Sequence, residues 1–402
     1  MHAKRTLNIL YCVLFSLFLI LPLCFFNFTG TLSSENRKLA VFPAFPTSLA
    51  DTTSFTQGVE TWLEDRIGFR KKLVTLYRYM ELYCFGISPS KIVALGSDGT
   101  AFLLEAQGSA VKHAEIFEAV GETAERTSLY PQQLDLLKRT AATAKKSPQS
   151  VVLLAVPTSP LFRFDNLPKY VRMNLTPKTP ETHPVSRALA DFAAMHPDDA
   201  KYFLFPFQES VKLTETYPLY PQKNFHWSWS PFTVAVSEMI AERFSQPLSR
   251  RFIPEDFSPC TTNSDLSHLV GVPSFKNIND LCPSNAFYTG QEITQSPLSE
   301  VFPGPEATRT TSGTYYKNAA VASGKVLVIG DSFNYNLGLP LVRNFREVVV
   351  LDYYGVMRET QNTPLPVLHH LKEAYNPKQI VIVRHNFFMD IQWSSGLDVF
   401  LR

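Results

Sequence analysis

Residues 151–156, 326–329, 348–351 and 380–383 are aliphatic, largely β-branched runs with no polar alternation. A strand with one wet face alternates, whereas a strand that is apolar throughout needs cover on both faces. Helical periodicity separates the runs: 134–146, 184–195, and 231–244 with Pro231 in its first turn. A further short strand is expected at 202–205. The pattern predicts an α/β domain of three αβα layers around a parallel sheet. Between residues 247 and 322 the periodicity fails and Pro, Ser, Thr and Asn accumulate. That stretch reads as a loop-rich insertion with a short helical piece at 264–269.

The N-terminus carries a second constraint. Met1-His2-Ala3-Lys4-Arg5 is basic, and residues 7–28 are charge-free and apolar. In a helix this run reaches about 33 Å, the thickness of a bilayer core. Lys4 and Arg5 favour a cytoplasmic start, which places the remainder outside. Phe28-Thr29-Gly30 is a poor signal-peptidase site, and Cys24 follows Leu23 rather than a small residue, against lipoprotein processing. Residues 1–28 are therefore expected to be a retained signal anchor, a transmembrane helix. Residues 29–90 would form a stalk and N-terminal helices, and 91–402 the main domain. Within 55–85 the helical pattern is expected to break at Gly68. Two short strands should flank the Gly96-Ser97-Asp98-Gly99 turn.

With 38 Lys+Arg against 36 Asp+Glu the net charge is only +2, and no like-charge run appears, so nothing points to nucleic acid. Of the five cysteines, Cys84, Cys260 and Cys282 lie beyond the anchor. Cys260 and Cys282 are a candidate disulfide in an oxidising compartment, closing a loop worth ~3 kcal/mol. Cys84 is left as a buried apolar residue. No Cys or His spacing suggests a metal site.

Gly330-Asp331-Ser332-Phe333 follows the run 326–329 and precedes a helical pattern. A hydroxyl is thereby set at the carboxyl edge of the sheet, where open α/β folds build sites. An ordinary Asp/Ser helix cap has the same look. A serine nucleophile needs a base, and the base an acceptor to orient it. Among nine histidines, His226 stands out in Asn224-Phe225-His226-Trp227-Ser228, leading into the Pro231 helix. His113, His183, His196 and His268 sit in polar contexts and read as solvated.

These blocks, with Glu35-Asn36-Arg37, the segment from Trp62 to Arg70, Val156-Pro157-Thr158 and Asp265-Leu266, occur in an order that resembles the SGNH-hydrolase-like periplasmic alginate and polysaccharide O-acetyltransferases (X/J type). That family carries Asp-x-His-Trp ahead of a late Gly-Asp-Ser, a circularly permuted order relative to ordinary SGNH esterases. The resemblance covers roughly residues 33–395. It implies Ser332 as nucleophile, His226 as base, and Gly355 and Asn386 as oxyanion candidates. Asn224 stands where the family has its acid. An Asp→Asn change in such a triad costs roughly 10⁴ in kcat, so Asp265 is a candidate substitute acid. Ser159 replaces an expected basic residue. Tyr220, Trp227 and Trp229 are candidates for stacking on sugar rings.

The function so implied is acetyl transfer to an exported polysaccharide through an acyl-serine, without a bound cofactor. A multi-pass membrane-bound O-acyltransferase would deliver the acetyl group from acetyl-CoA. Two alternatives stay open: a catalytically weak scaffold or polysaccharide-binding subunit, and a carbohydrate acetyl-esterase.

Overall fold

A computed structural model describes residues 2–27, 39–105, 113–120, 130–173, 175–305 and 308–385. The chain forms two compact units, Met1–Pro89 and Ser90–Arg402.

In the first unit a helix spans His2–Cys24, with Pro22 inside it. The expected transmembrane span at 7–28 is corrected here. The helix starts within the basic segment, and proline occupies its last turn. Among the described residues no helix is long and apolar enough to cross a membrane. Side chains of Ile9, Leu10, Leu14, Phe15 and Leu17 are exposed. Helices Thr52–Arg66 and Arg70–Tyr79 follow, so the expected break at Gly68 is present. Arg66 Nη1 donates to the Ala40 carbonyl at 2.7 Å and Asp65 Oδ2 accepts from the Ala40 N–H at 2.8 Å. Cys84, expected to be buried, is exposed.

The second unit opens with β1 (Val93–Leu95) and β2 (Ala101–Leu103), an antiparallel pair. Gly99 takes φ +79° in the turn between them, where a side chain would be strained. The later strands are β3 (Ser150–Ala155), β4 (Phe203–Leu204), β5 (Phe257–Asn263), β6 (Lys276–Pro283), β7 (Ile293–Pro297), β8 (Gly313–Asn318), β9 (Lys325–Gly330), β10 (Glu347–Asp352) and β11 (Gln379–Arg384). A seven-stranded sheet has the order β4-β3-β11-β9-β10-β8-β7. From β4 to β10 all neighbours are parallel. The edge made by β8 and β7 is antiparallel, so the all-parallel expectation is corrected. Both of these antiparallel strands, β8 and the edge strand β7, come from 247–322, which thus extends the sheet as well as covering it.

Alternate residues of the central strands enter two cores, which accounts for their unbroken apolar sequence. Val151, Leu153, Leu327, Ile329, Ile380 and Ile382 face helices Tyr130–Lys146, Pro184–Met195 and Leu365–Tyr375. Val152, Leu154, Val326, Val328, Val381 and Val383 face helix Pro231–Arg243 and the segment Gly338–Val342. These are the three expected layers. β5 and β6 form a separate hairpin. Its base is tied to the main core by Asp256, fully buried, which accepts from Arg250 and from Arg343 Nη2 at 3.4 Å.

Candidate active site

Ser332 opens a short 3-10 segment, Ser332–Leu337, directly after β9. Asp331 caps it, accepting the Phe333 N–H at 3.0 Å. Gly330 has to be glycine for packing: a Cβ there would sit 2.7 Å from the Val383 side chain on β11. The segment 220–230 approaches Ser332 from the layer of helix Pro231–Arg243. His226 Nε2 lies 2.7 Å from Ser332 Oγ.

Asp265 sits in the loop joining β5 to β6. Its Oδ2 lies 2.7 Å from His226 Nδ1 and accepts the His226 backbone N–H at 2.9 Å, while Oδ1 accepts the Phe225 N–H at 3.0 Å. With Asp265 accepting the hydrogen bond from Nδ1–H, Nε2 is the nitrogen left to accept the serine proton. His226 and Asp265 side chains are 27 and 26 % exposed. The base is therefore sheltered but reachable.

Asn224 is placed otherwise than the sequence suggests. Its Oδ1 accepts the Asp265 backbone N–H at 3.1 Å and Asn277 Nδ2–H at 2.8 Å. The amide is spent on fixing the loop that presents the carboxylate, and Asp265 occupies the position assigned to Asn224. Ser264 Oγ donates to the Lys223 carbonyl in the same junction. Cys260 and Cys282 are bonded to each other, with Cα atoms 5.9 Å apart, closing the base of the hairpin that carries Asp265.

Two proposed sugar contacts are core residues. Tyr220 is buried, and its hydroxyl donates to the Pro157 carbonyl at 2.7 Å. Trp227 backs the cavity at Ser332 but is 0 % exposed, and its Nε1–H donates to the Phe333 carbonyl at 2.6 Å. Trp229 is the exposed one, at 37 %. Gly355 lies in the first turn of helix Tyr353–Glu359, packed against Ser312 and Asp352, and does not line the cavity at Ser332. Asn386 lies outside the described residues. Ser159 is buried and apart from that cavity.

His385 was missed by the sequence reading, and His183 misread. His183 is buried, bonded to the Ala119 carbonyl and the Val185 N–H. His385 follows β11, and Asp331 Oδ2 lies 2.8 Å from its Nδ1 and accepts its backbone N–H at 2.9 Å. Glu115 lies 3.5 Å from its Nε2. Burial opposes charge on His385, but Asp331 and Glu115 outweigh it and raise it from 6.5 to about 9. Burial likewise opposes charge on Asp331, and His385 with Arg384 holds it below the usual carboxylate range. The Phe333 ring is stacked on His385 at 4.9 Å and packs against His226 at 4.8 Å. Its signal in sequence was position: a histidine immediately after a buried strand, at the sheet edge that holds Ser332.

The cavity at Ser332 is about 330 Å³. A larger cleft of about 530 Å³ lies between Leu189, Phe205, Glu209 and Arg243 and holds no part of the serine constellation. Among the described residues no group of three or more His, Cys, Asp or Glu is placed to hold a metal ion.

No family model matches the chain, and no curated protein matches it. Solved structures similar to it include Bacillus cereus PatB1 with a sulfonyl adduct (14% identity, 73% of this chain and 94% of that one, TM-score 0.43). A DHHW family protein from Eubacterium siraeum gives 13% identity over 66% of this chain and 88% of that one, TM-score 0.43. The O-acetyltransferase domain of Pseudomonas putida AlgJ gives 17% identity over 76% of this chain and 98% of that one, TM-score 0.39. TM-scores this low decide neither fold nor chemistry, and both rest on the geometry above.

Proposed function

We propose that this chain is a serine-dependent O-acetyltransferase acting on a polysaccharide outside the cytoplasmic membrane. The observation that carries it is the unbroken chain Ser332 Oγ, His226 Nε2, His226 Nδ1, Asp265 Oδ2, with 2.7 Å at both hydrogen bonds. As Ser332 Oγ attacks an acetyl carbonyl, its proton passes to His226 Nε2. Asp265 stabilises the imidazolium that results. The Ser332 backbone N–H is the candidate oxyanion donor, such a donor being worth ~3–4 kcal/mol. His226 then returns the proton to the departing group, leaving acetyl-Ser332. A sugar hydroxyl, deprotonated by His226, takes the acetyl group and frees the serine.

Several features support the setting. The Cys260–Cys282 bond suits an oxidising compartment. The exposed apolar surface of helix His2–Cys24 suits attachment to a lipid surface. A membrane-bound O-acyltransferase would supply acetyl groups from cytoplasmic acetyl-CoA. Numbered from β9, the parallel strands read 2-1-3-4-5 across the sheet, the flavodoxin-like doubly wound order. That supports a permuted SGNH-like arrangement, with Ser332 after the first strand of the unpermuted order.

The test is intact-mass analysis after brief exposure to an activated acetyl ester. One added acetyl group on the wild type, absent in Ser332→Ala, is expected. Equal labelling of both proteins overturns the reading. Free acetate as the sole product with an oligosaccharide acceptor present would make the protein an esterase.

A further inference from the structure

The walls of the Ser332 cavity differ in chemistry. Trp229 and Tyr335 present aromatic faces, 37 and 46 % exposed. Tyr335 is held by its hydroxyl, which donates to Asp352 Oδ2 at 2.7 Å, so the ring is a fixed plate. The wall formed by the β5–β6 hairpin sets two carboxylates, Asp265 and Asp280, beside the apolar Leu281, Cys282 and Pro283. Asp280 is 6 % exposed; its Oδ2 accepts from Thr262 Oγ1 at 2.7 Å and Oδ1 from the Leu281 N–H at 2.8 Å. Burial pushes the Asp280 carboxyl above the usual carboxylate range, and the charge of Arg163 acts against that shift without bonding to it. Arg163 donates to the carbonyls of Tyr220 at 2.5 Å and Pro221 at 3.3 Å, and Lys223 Nζ lies over the Phe275 ring at 4.9 Å. Neither lines the cavity.

Resting on the proposed function, we propose that the acceptor ring beside Ser332 is a neutral or amine-bearing sugar, and that Asp280 makes the cavity discriminate against uronates. An aromatic plate packs the apolar face of a pyranose whatever its charge. The opposite wall then sets the sign of charge the ring can bear. A uronate carboxylate held there faces Asp265 and Asp280 across a sheltered cavity, where like charges repel far more strongly than in open water. A hydroxyl or ammonium group instead meets hydrogen-bond acceptors. Asp280 is thus a specificity determinant, distinct from the proton relay of His226 and Asp265.

The experiment measures binding to the full-length Ser332→Ala protein, which removes turnover from the readout. Three oligosaccharides of equal length serve as probes: an N-acetylglucosamine oligomer, its de-N-acetylated form, and an oligouronate. The first two are expected to bind about tenfold or more tightly than the oligouronate at low salt. Added salt should close part of the gap for the charged probes. In Ser332→Ala/Asp280→Asn the discrimination against oligouronate should shrink severalfold, while Trp229→Ala in the same background should weaken all three alike. Oligouronate binding as tight as the others, or no binding by any probe, overturns the inference. Failure of the enzymatic reading shows separately, as absence of acetyl-Ser332 in the wild type.

Discussion

Asp265 Oδ2 accepts both the ring Nδ1–H and the backbone N–H of His226, at 2.7 and 2.9 Å. One carboxylate therefore fixes the tautomer of the base and the position of its main chain together. Loss of the charge should act chiefly on the tautomer. Asp265→Asn is expected to slow acetyl-Ser332 formation by about 10⁴, read by stopped-flow with a chromogenic acetyl ester. A loss of only a few-fold would remove Asp265 from the relay.

Asn224 supports a contrasting prediction. Because its Oδ1 faces the Asp265 N–H and Asn277, Asn224→Asp supplies no carboxylate to His226 and should not raise activity. Asn224→Ala leaves the Asp265 N–H without that acceptor and should lower stability by about 1–3 kcal/mol, measured by urea unfolding. A large gain in turnover for Asn224→Asp would show that the amide, and not Asp265, limits the base.

His385 predicts a pH dependence of stability. Its folded value is raised from 6.5 to about 9, so the stabilisation it brings is fully present below about 6.5 and is lost as pH rises through about 9. The shift corresponds to something on the order of 3 kcal/mol. Wild type should lose its thermal-stability advantage over His385→Gln across that window. Parallel melting curves from pH 6 to 10 would exclude a charged His385 in the folded protein.

The αβα layering was legible because buried strands such as 326–329 and 380–383 have no polar positions to spare, and the hydrophobic effect acts on them without reference to distant partners. Ser332 and His226 were legible for a similar local reason, since each stands where a strand or loop meets a helix. Their acid was legible only as a substitute candidate, Asp265, because the hydrogen bond that His226 donates to it spans 39 residues and depends on how the β5–β6 hairpin docks. Asn224, two positions from His226, was the nearer candidate in sequence and the wrong one in space. The antiparallel edge was hidden for another reason. β7, Ile293–Pro297, is largely exposed and polar, so its pairing with β8 leaves little apolar pattern to read. Tyr220, Trp227 and Trp229 show the limit of composition, which does not say which ring faces water.

The last prediction separates those aromatics. Trp227→Phe removes the 2.6 Å bond to the Phe333 carbonyl from a fully buried side chain next to the base His226. It should lower stability by about 1–3 kcal/mol through an unsatisfied acceptor and a packing defect. Tyr220→Phe likewise strips the donor from the Pro157 carbonyl and should cost a similar amount. Neither ring is exposed, so saccharide affinity, corrected for the folded fraction, should stay within about twofold of wild type, a few tenths of a kcal/mol. Thermal unfolding and oligosaccharide titration of the same samples supply both readouts. A selective loss of affinity in Tyr220→Phe with melting unchanged would restore Tyr220 as a sugar contact and require the cavity to open further than its present walls allow.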